Sequence, residues 1–222
     1  IEVYRRNFTH PIFDMDLEDV AAVEQIAEYK PDVIVGGPPC QDFSIAGRRE
    51  FDGKRANLTL RFAEIVMAVR PQYFVMENVY NIKKTPVLGK VLADLQRAGY
   101  GLTHGVFDAS LMNVPQKRKR YIVIGEFHAD DESFRDRINR NLAEVSLTVR
   151  EHFGEALDTN FYYMHPRSYA RRGIFSVDQP SSTIRGVNRP IPPTYKIHSA
   201  DATRNLQQVR MLTTKERSYI QT

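Results

Sequence analysis

The chain has 222 residues, of which 42% are hydrophobic, and this is enough for one sizeable core or for a core with a small additional lobe. A single cysteine excludes an internal disulfide, and no paired cysteine and histidine spacing indicates a metal site. The apolar runs are too short to span a membrane, and residues 1–6 lack the apolar segment of a signal peptide. A formal net charge of +4 is mildly basic, which is compatible with a nucleic-acid partner.

Strands and helices are predicted to alternate over the first part of the chain. The predicted strands are 11–15, 32–35, 73–76, 101–108 and 121–125, and the predicted helices are 17–30, 62–69 and 87–95, the last with Gly99 just after it. This alternation predicts an α/β fold with a doubly wound, mostly parallel sheet and right-handed crossovers. Because parallel strands share one carboxyl edge, we expect Asp16, Cys40 and Glu77 to line one crevice there.

The only cysteine follows a predicted buried strand that ends in two glycines and two prolines, residues 36–39. Prolines fix their backbone angles and donate nothing to a strand ladder, so Cys40 should lie on a stiff loop. A lone cysteine is usually a small buried apolar residue. Here polar residues, Gln41, Asp42 and Ser44, follow it, and this favours a nucleophile over a core side chain.

Regular periodicity ends at about residue 128. We therefore predict a first domain over 1–127, an irregular lobe over 128–205, and a C-terminal helix that begins within 206–222 and returns to the first domain. The sequence from Thr213 to Glu216 is typical of a capping box at a helix start. Arginines interleaved with proline, glycine and tyrosine in the lobe are typical of a surface that follows phosphates.

Three short motifs in this order resemble those of the cytosine-5 DNA methyltransferases. Pro-Cys-Gln at 39–41 is similar to the family's nucleophile motif, Glu-Asn-Val at 77–79 to its acid motif, and Gln-Lys-Arg-Lys-Arg at 116–120 to its Gln-x-Arg-x-Arg motif. Related family positions are the Thr-Ile pair at 183–184 and the Arg-Met-Leu-Thr-x-x-Glu segment at 210–216. The resemblance covers nearly the whole chain. It implies a Rossmann-like methyltransferase domain, S-adenosylmethionine as cofactor and duplex DNA as partner.

The resemblance also implies catalytic roles. Carbon 5 of cytosine is a weak nucleophile, so a thiolate, here Cys40, first adds to carbon 6. Glu77 would donate a hydrogen bond or proton to ring nitrogen 3, and Arg120 would bind the ring carbonyl and hold Glu77. Arg118 would support the thiolate or a phosphate. The alternatives are a strand-end cap for Glu77 and an ordinary basic turn for the two arginines.

Cofactor and DNA contacts follow from the same resemblance. Asp16 would contact the adenine of S-adenosylmethionine, with Pro38 and Leu58 beside it, although Asp16 could instead be a helix N-cap. Residues 41–58 resemble the mobile loop that closes over a flipped cytosine, and 128–205 the target recognition domain. The candidate DNA contacts, to guanine edges or to phosphates, are Gln41, Ser44, Arg55, Arg167, Arg171, Arg172, Thr183, Arg185 and Arg189.

The sequence departs from the family pattern in two places. The glycine-rich motif that cradles the methionine end of the cofactor and the final asparagine-containing motif are both missing from residues 1–222. We expect a second polypeptide or flanking segments to supply them, and residues 1–222 alone to bind the cofactor weakly. The compact lobe indicates a prokaryotic enzyme, and the single cysteine suits a reducing cytoplasm. The resemblance further implies association with DNA at the nucleoid and a restriction-modification system.

Three other functions are compatible with parts of the sequence. A noncatalytic DNA-binding subunit or degenerate paralogue would explain the missing glycine motif, but intact Cys40, Glu77 and Arg120 argue against it. A tRNA cytosine-5 methyltransferase would keep the chemistry, and the arginine-rich lobe disfavours it. A cysteine hydrolase is least favoured, because none of the six histidines stands in a partner motif.

Overall fold

The computed structural model describes residues 1–39, 56–168 and 170–222. Four predicted site residues, Cys40, Gln41, Ser44 and Arg55, lie outside the described residues. The chain divides into two compact units. The first unit comprises Ile1–Val106 and Arg120–Asp136, and the second comprises Phe107–Lys119 and Arg137–Thr222. The predicted domain limits at 127 and 205 stay a prediction.

Helices and strands alternate along the described residues. The helices are α1 (Glu2–Asn7), α2 (Val20–Glu28), α3 (Ala56–Val69), α4 (Pro86–Arg97), α5 (Arg135–Asn141), α6 (Val149–Phe153) and α7 (Thr214–Tyr219). The strands are β1 (Val33–Gly36), β2 (Tyr73–Val79), β3 (Tyr100–Asp108), β4 (Gln116–Lys117), β5 (Lys119–Phe127), β6 (Phe161–Tyr163), β7 (Ile174–Ser176), β8 (Ser181–Ser182) and β9 (Val209–Met211). Short 3₁₀ turns occupy Tyr80–Lys84, Ala109–Leu111, Gly154–Ala156 and Leu206–Gln208. The α/β class predicted from the sequence is confirmed.

A four-stranded sheet in the order β1-β2-β5-β3 organises the first unit. β1 and β2 are parallel, with Val33 opposite Tyr73. β2 and β5 are antiparallel, and their register runs from Tyr73 opposite Glu126 to Val79 opposite Arg120. The sheet is therefore mixed, and the carboxyl end of β2 meets the amino end of β5. The sequence predicted a mostly parallel sheet, and this antiparallel pair within it brings Arg120, the last residue of the Gln-x-Arg-x-Arg motif, to the acid motif.

Helices α3 and α4 pack on this sheet through their apolar faces. Fully buried side chains from both helices and from the sheet form the core: Val66, Phe74, Met76, Val91, Leu95 and Val123. Each such residue stabilises the fold by about 1.5–3 kcal/mol relative to exposure. The hydroxyl of Thr85 caps α4 by accepting from Leu88 N, and Pro86 is the first helical residue. Gly99 follows α4 at a φ of +98°, which confirms its predicted role after the helix end.

Two local predictions in the first unit are wrong, and the alternative role of Asp16 as a helix N-cap is not observed. Residues 11–15 form neither helix nor strand, because local apolar patterning does not supply the neighbouring strand that a ladder requires. The 32–35 strand was expected to be buried, but β1 is an end strand of the four-stranded sheet and Val33 and Val35 are 50% and 72% exposed. Asp19 rather than Asp16 caps α2, since its carboxylate accepts from Ala21 N.

The second unit combines two small sheets with little helix. β6 pairs with β7 antiparallel and with β9 parallel, while β4 pairs with β8 in a separate parallel ladder. Its core contains Val149, Leu157, Tyr162, Phe175, Val177, Ile184, Leu212 and Ile220. The predicted capping box is present, because Thr213 and Glu216 each bond the other's backbone N–H at the start of α7.

No helix within the described ranges is long and apolar enough to cross a membrane. The same part of the chain contains no group of three or more histidine, cysteine or acidic side chains arranged to hold a metal ion.

Candidate active site

An ion pair joins the acid motif to the Gln-x-Arg-x-Arg motif. Arg120 Nε lies 2.6 Å from Glu77 Oε1. The antiparallel register of β2 and β5 causes this contact, because Arg120 is opposite Val79, two residues after Glu77. The side chain of Glu77 stays 44% exposed, so one carboxylate oxygen is held by the arginine while the group remains accessible to a substrate.

The segment that leads into Cys40 lies against the carboxyl end of β2. Asn78 is buried, and its side-chain amide donates to the Pro38 carbonyl at 3.4 Å while its oxygen accepts from Val79 N at 2.8 Å. A Cβ placed on Gly37 would lie 3.6 Å from Glu77 Oε2. The Glu77 carboxylate is therefore close to the backbone at Gly37, three residues before the cysteine.

The three predicted cofactor residues line one cavity of the first unit. Asp16, Pro38 and Leu58 all contribute to a cavity of about 280 Å³. The remaining lining is mostly apolar and consists of Met15, Leu17, Gly36, Gly37, Pro39, Arg61, Phe62 and Ile65. Gly36 is needed here because a Cβ at that position would lie only 2.3 Å from the Phe62 ring. We call this space the cofactor cavity.

Arg61 is a residue of this cavity that sequence reasoning missed. From α3 its guanidinium donates to the carbonyls of Leu17 at 2.7 Å and Asp19 at 2.9 Å, and it pairs with Glu64 at 3.1 Å. Asp16 lies in the same turn, where its carboxylate accepts from Glu18 N at 2.9 Å. Arg61 therefore ties the turn that carries Asp16 to α3. A single arginine on an amphipathic helix gives no signal of this contact in the sequence.

The first part of the Gln-x-Arg-x-Arg motif belongs to the second unit. Gln116 is buried and its amide donates to the Ile220 carbonyl at 3.4 Å. The carbonyl of Arg118 accepts from Ala109 N at 3.1 Å. A catalytic role for Arg118 stays a prediction, whereas Gln116 is a buried residue of the fold.

Most of the predicted DNA contacts in the second unit line one cavity. Its volume is about 390 Å³, and it includes Arg167, Arg171, Arg172, Thr183 and Arg185. Lys117, a residue of the Gln-x-Arg-x-Arg motif that was not among the predicted DNA contacts, also lines it. Arg189 is exposed and is not among its lining residues. We call this cavity the arginine pocket.

Neutral groups hold two of the pocket arginines. The Arg172 guanidinium lies 4.5 Å above the Phe175 ring and donates to Gln179 Oε1 at 3.4 Å. Arg185 donates to the His165 carbonyl. Burial, and then the charge of Arg167, lower the pKa of Arg185 from its usual value.

Comparison with known proteins places the chain in a family. The family described as C-5 cytosine-specific DNA methylase matches residues 1–222, and the chain belongs to it. It is a DNA cytosine-5 methyltransferase, and its methyl donor is S-adenosylmethionine. This confirms the resemblance carried by the three motifs.

Two bacterial relatives align over the entire chain. It is 51% identical to the Type II methyltransferase M.HindV of Haemophilus influenzae and 52% identical to M.HgiDI of Herpetosiphon aurantiacus. The alignments cover 100% of this chain, and 74% and 72% of those two proteins, respectively.

Two solved structures share the fold. The Entamoeba histolytica methyltransferase EhMeth superposes with a TM-score of 0.56 at 17% identity, covering 74% of this chain and 51% of that one. S. pombe Dnmt2 superposes with a TM-score of 0.55 at 20% identity, covering 71% and 50%. At these identities the likeness concerns the fold alone.

The cofactor cavity fits S-adenosylmethionine in its chemistry. Its apolar walls, which include Leu17, Phe62 and Ile65, suit the flat adenine ring, and Asp16 offers a carboxylate to a polar edge of the nucleoside. When bound, the cofactor supplies an electrophilic methyl group. The residues present are thus those expected to hold the adenosine end.

Proposed function

We propose that the protein methylates carbon 5 of a cytosine flipped out of duplex DNA, through a transient covalent bond to Cys40. The Cys40 thiolate adds to carbon 6, and electron density moves to carbon 5 and ring nitrogen 3. After carbon 5 has taken the methyl group, with S-adenosylhomocysteine as the leaving group, a water molecule removes the proton of carbon 5. The carbon 6–sulfur bond then breaks to regenerate the thiolate, and any proton on ring nitrogen 3 returns to Glu77. The base leaves as 5-methylcytosine.

Glu77 and Arg120 have complementary roles in this proposal. Glu77 donates a proton or hydrogen bond to ring nitrogen 3 as the thiolate adds, and this stabilises the developing charge. Arg120 orients Glu77 and donates to the ring carbonyl. The observation that carries the proposal is the 2.6 Å contact between Arg120 Nε and Glu77 Oε1, beside the backbone that leads into Cys40. Arg118, in its predicted role, supports the thiolate or a phosphate.

Base flipping is required because a thiol cannot reach a ring carbon inside a stacked duplex. We infer that Gln41, Ser44 and Arg55 contact DNA near the flipped base. The basic residues of the second unit would hold the duplex, which makes it the target recognition region. Its candidate contacts, to guanine edges or to phosphates, are Arg167, Arg171, Arg172, Thr183, Arg185 and Arg189.

The proposal extends to the biological setting. The two bacterial relatives are named Type II methyltransferases, and this supports a role in a restriction-modification system in a prokaryotic cytoplasm, at the nucleoid. A second polypeptide or flanking segments that complete the cofactor site remain part of the proposal. Strand β1 supports this, because it lies at the edge of the sheet formed by the described residues and Val33 and Val35 offer apolar surface to a further segment.

Replacing Glu77 tests the catalytic assignment. We expect Glu77→Gln to bind duplex DNA normally but to methylate it about a hundredfold or more slowly, because an amide cannot transfer the proton. The measurement is the single-turnover rate of methyl transfer from labelled S-adenosylmethionine to DNA.

Glu132→Gln is a matched control. Glu132 also pairs with an arginine, Arg135, and its side chain is 46% exposed against 44% for Glu77. The control should methylate at the rate of the unmodified protein. Equal rates for Glu77→Gln and Glu132→Gln would mean that Glu77 is only a structural partner of Arg120.

A further inference from the structure

The arginine pocket concentrates positive charge, and no acidic side chain among its described lining residues neutralises it. Five cationic side chains line it: Lys117, Arg167, Arg171, Arg172 and Arg185. A space of about 390 Å³ corresponds to about a dozen water molecules at ~30 Å³ each, so the pocket can hold more than one small hydrated anion.

The contacts within the pocket leave these charges unneutralised. Arg172 is held by an aromatic ring and an amide, and Arg185 by a backbone carbonyl, none of which carries a formal charge. Burial, and then the nearby charge of Arg167, lower the pKa of Arg185, so both disfavour its charged form. Such a cluster is stabilised by a ligand that brings full negative charges.

We propose that the arginine pocket binds two successive phosphates of one DNA strand, with Lys117 and Arg171 among their ligands. The proposal rests on the duplex DNA substrate of the proposed function and assigns a phosphate role to this part of the recognition unit. A guanine edge is neutral and would leave the five cations facing one another. Two phosphates bring two negative charges and many acceptor oxygens.

The side chains themselves favour phosphate contacts over base reading. Bidentate recognition of guanine requires a rigidly held guanidinium. Arg167 and Arg171 are exposed side chains, and Lys117 is an exposed point charge on a flexible stem. Such side chains neutralise the charge of a DNA phosphate effectively but discriminate poorly between the edges of different bases.

Two strands fix the position of Lys117 in the pocket wall. Lys117 is opposite Ser182 in the parallel β4–β8 ladder, and Thr183 Oγ1 donates to the Lys117 carbonyl at 2.9 Å. Ser182 and Thr183 also line the pocket. The backbone of Lys117 is therefore held beside the arginines of the second unit. Lys117 is the first unspecified position of the Gln-x-Arg-x-Arg motif, and the proposal assigns it a function.

The salt dependence of DNA binding tests this inference. The probe is a labelled duplex of mixed sequence, and its dissociation constant is measured over a series of sodium chloride concentrations. Each phosphate contact contributes about −0.9 to the slope of log affinity against log salt. We expect Lys117→Gln combined with Arg171→Gln to reduce the magnitude of the slope by about 1.8, and to weaken all sequences alike.

Two further variants make the result interpretable. Arg204→Gln removes an exposed arginine of the same unit that does not line the pocket, and it should leave the slope unchanged. Arg171→Lys keeps the charge, so it should retain the slope of the unmodified protein and show that charge rather than folding is responsible.

An unchanged slope in the double variant would overturn the inference. Relaxed methylation specificity at one base pair, with the slope preserved, would also overturn it by identifying a guanine reader. Failure of the proposed function would be distinct. A protein that forms no covalent adduct with its DNA could still show a smaller salt-dependence slope in the double variant, because that measurement requires only DNA binding.

Discussion

At the scale of single residues, side chains that reach across the first unit build the candidate site. Arg120 holds Glu77 at 2.6 Å, and Asn78 links the end of β2 to the Pro38 carbonyl. Arg61 holds the turn at Leu17 and Asp19 through two backbone carbonyls. These contacts are charge-assisted or at least partly buried, so another polar side chain at the same position would not replace them.

We predict that Arg61→Ala raises the KM for S-adenosylmethionine about tenfold with little change in kcat. The loss of two hydrogen bonds of about 1 kcal/mol each would release the turn that presents Asp16, and a tenfold change corresponds to about 1.4 kcal/mol. Steady-state methylation at varied cofactor concentration measures both constants.

The control for Arg61 is Glu64→Gln. This change weakens the ion pair of Arg61 but leaves both of its carbonyl contacts, so KM should change much less. An equal KM for Arg61→Ala and the unmodified protein would show that the turn keeps its place without the arginine.

At the scale of elements, an aspartate ties the start of β7 to a loop of the second unit. One oxygen of Asp201 accepts from Gly173 N and Ile174 N, both at 3.0 Å, and the other accepts from Tyr195 Oη at 2.7 Å and His198 N at 2.8 Å. Burial alone would raise the pKa of Asp201, but these hydrogen bonds outweigh it and lower the pKa. Since Gly173 directly follows Arg172, Asp201 also steadies one wall of the arginine pocket.

We expect Asp201→Asn to destabilise the protein by about 1–3 kcal/mol at neutral pH, because an amide group cannot accept on both sides. A depressed folded-state pKa gives stability that is present above the unfolded value of about 3.9 and is lost as the pH falls through the lower folded value. Thermal unfolding between neutral and acidic pH should show a smaller acid dependence in the variant.

Asp178→Asn is the control for Asp201. Hydrogen bonding to Arg150 also lowers the pKa of Asp178, but this pair is exposed, so its loss should change stability much less than Asp201→Asn does. If the two variants had the same unfolding temperature at every pH, the four hydrogen bonds of Asp201 would contribute no more stability than the exposed contacts of Asp178.

These elements also show what the sequence can predict. Helix α4 was predictable because its cap at Thr85, its apolar face and Gly99 are all local signals. The antiparallel pairing of β5 with β2 was not predictable, because strand partners are set by contacts distant in sequence.

The candidate site divides in the same way. The motifs indicated Glu77 and Arg120, and the structure brings the two together. The place of Lys117 in the pocket wall and the contacts of Arg61 could not be predicted, because they depend on a β4–β8 ladder and on a turn more than forty residues from Arg61. The exposure of Val35 likewise depends on which strand lies at the end of the sheet.

At the scale of the whole molecule, the two units carry different parts of the proposed reaction. The first contains the Glu77–Arg120 pair and the cofactor cavity, and the second contains the arginine pocket. The nucleophile can therefore be removed without changing the main basic surface. We expect Cys40→Ser to abolish methyl transfer while it binds duplex DNA as the unmodified protein does.

Covalent trapping tests the central claim most directly. Duplex DNA in which 5-fluorocytosine replaces cytosine cannot release the carbon 5 substituent as a proton, so the enzyme should remain attached after methyl transfer. With S-adenosylmethionine present, the unmodified protein should give an adduct that survives denaturing electrophoresis, and Cys40→Ser should give none although it binds the same duplex. An equal yield of adduct from Cys40→Ser would contradict the account, because the nucleophile would then be another residue.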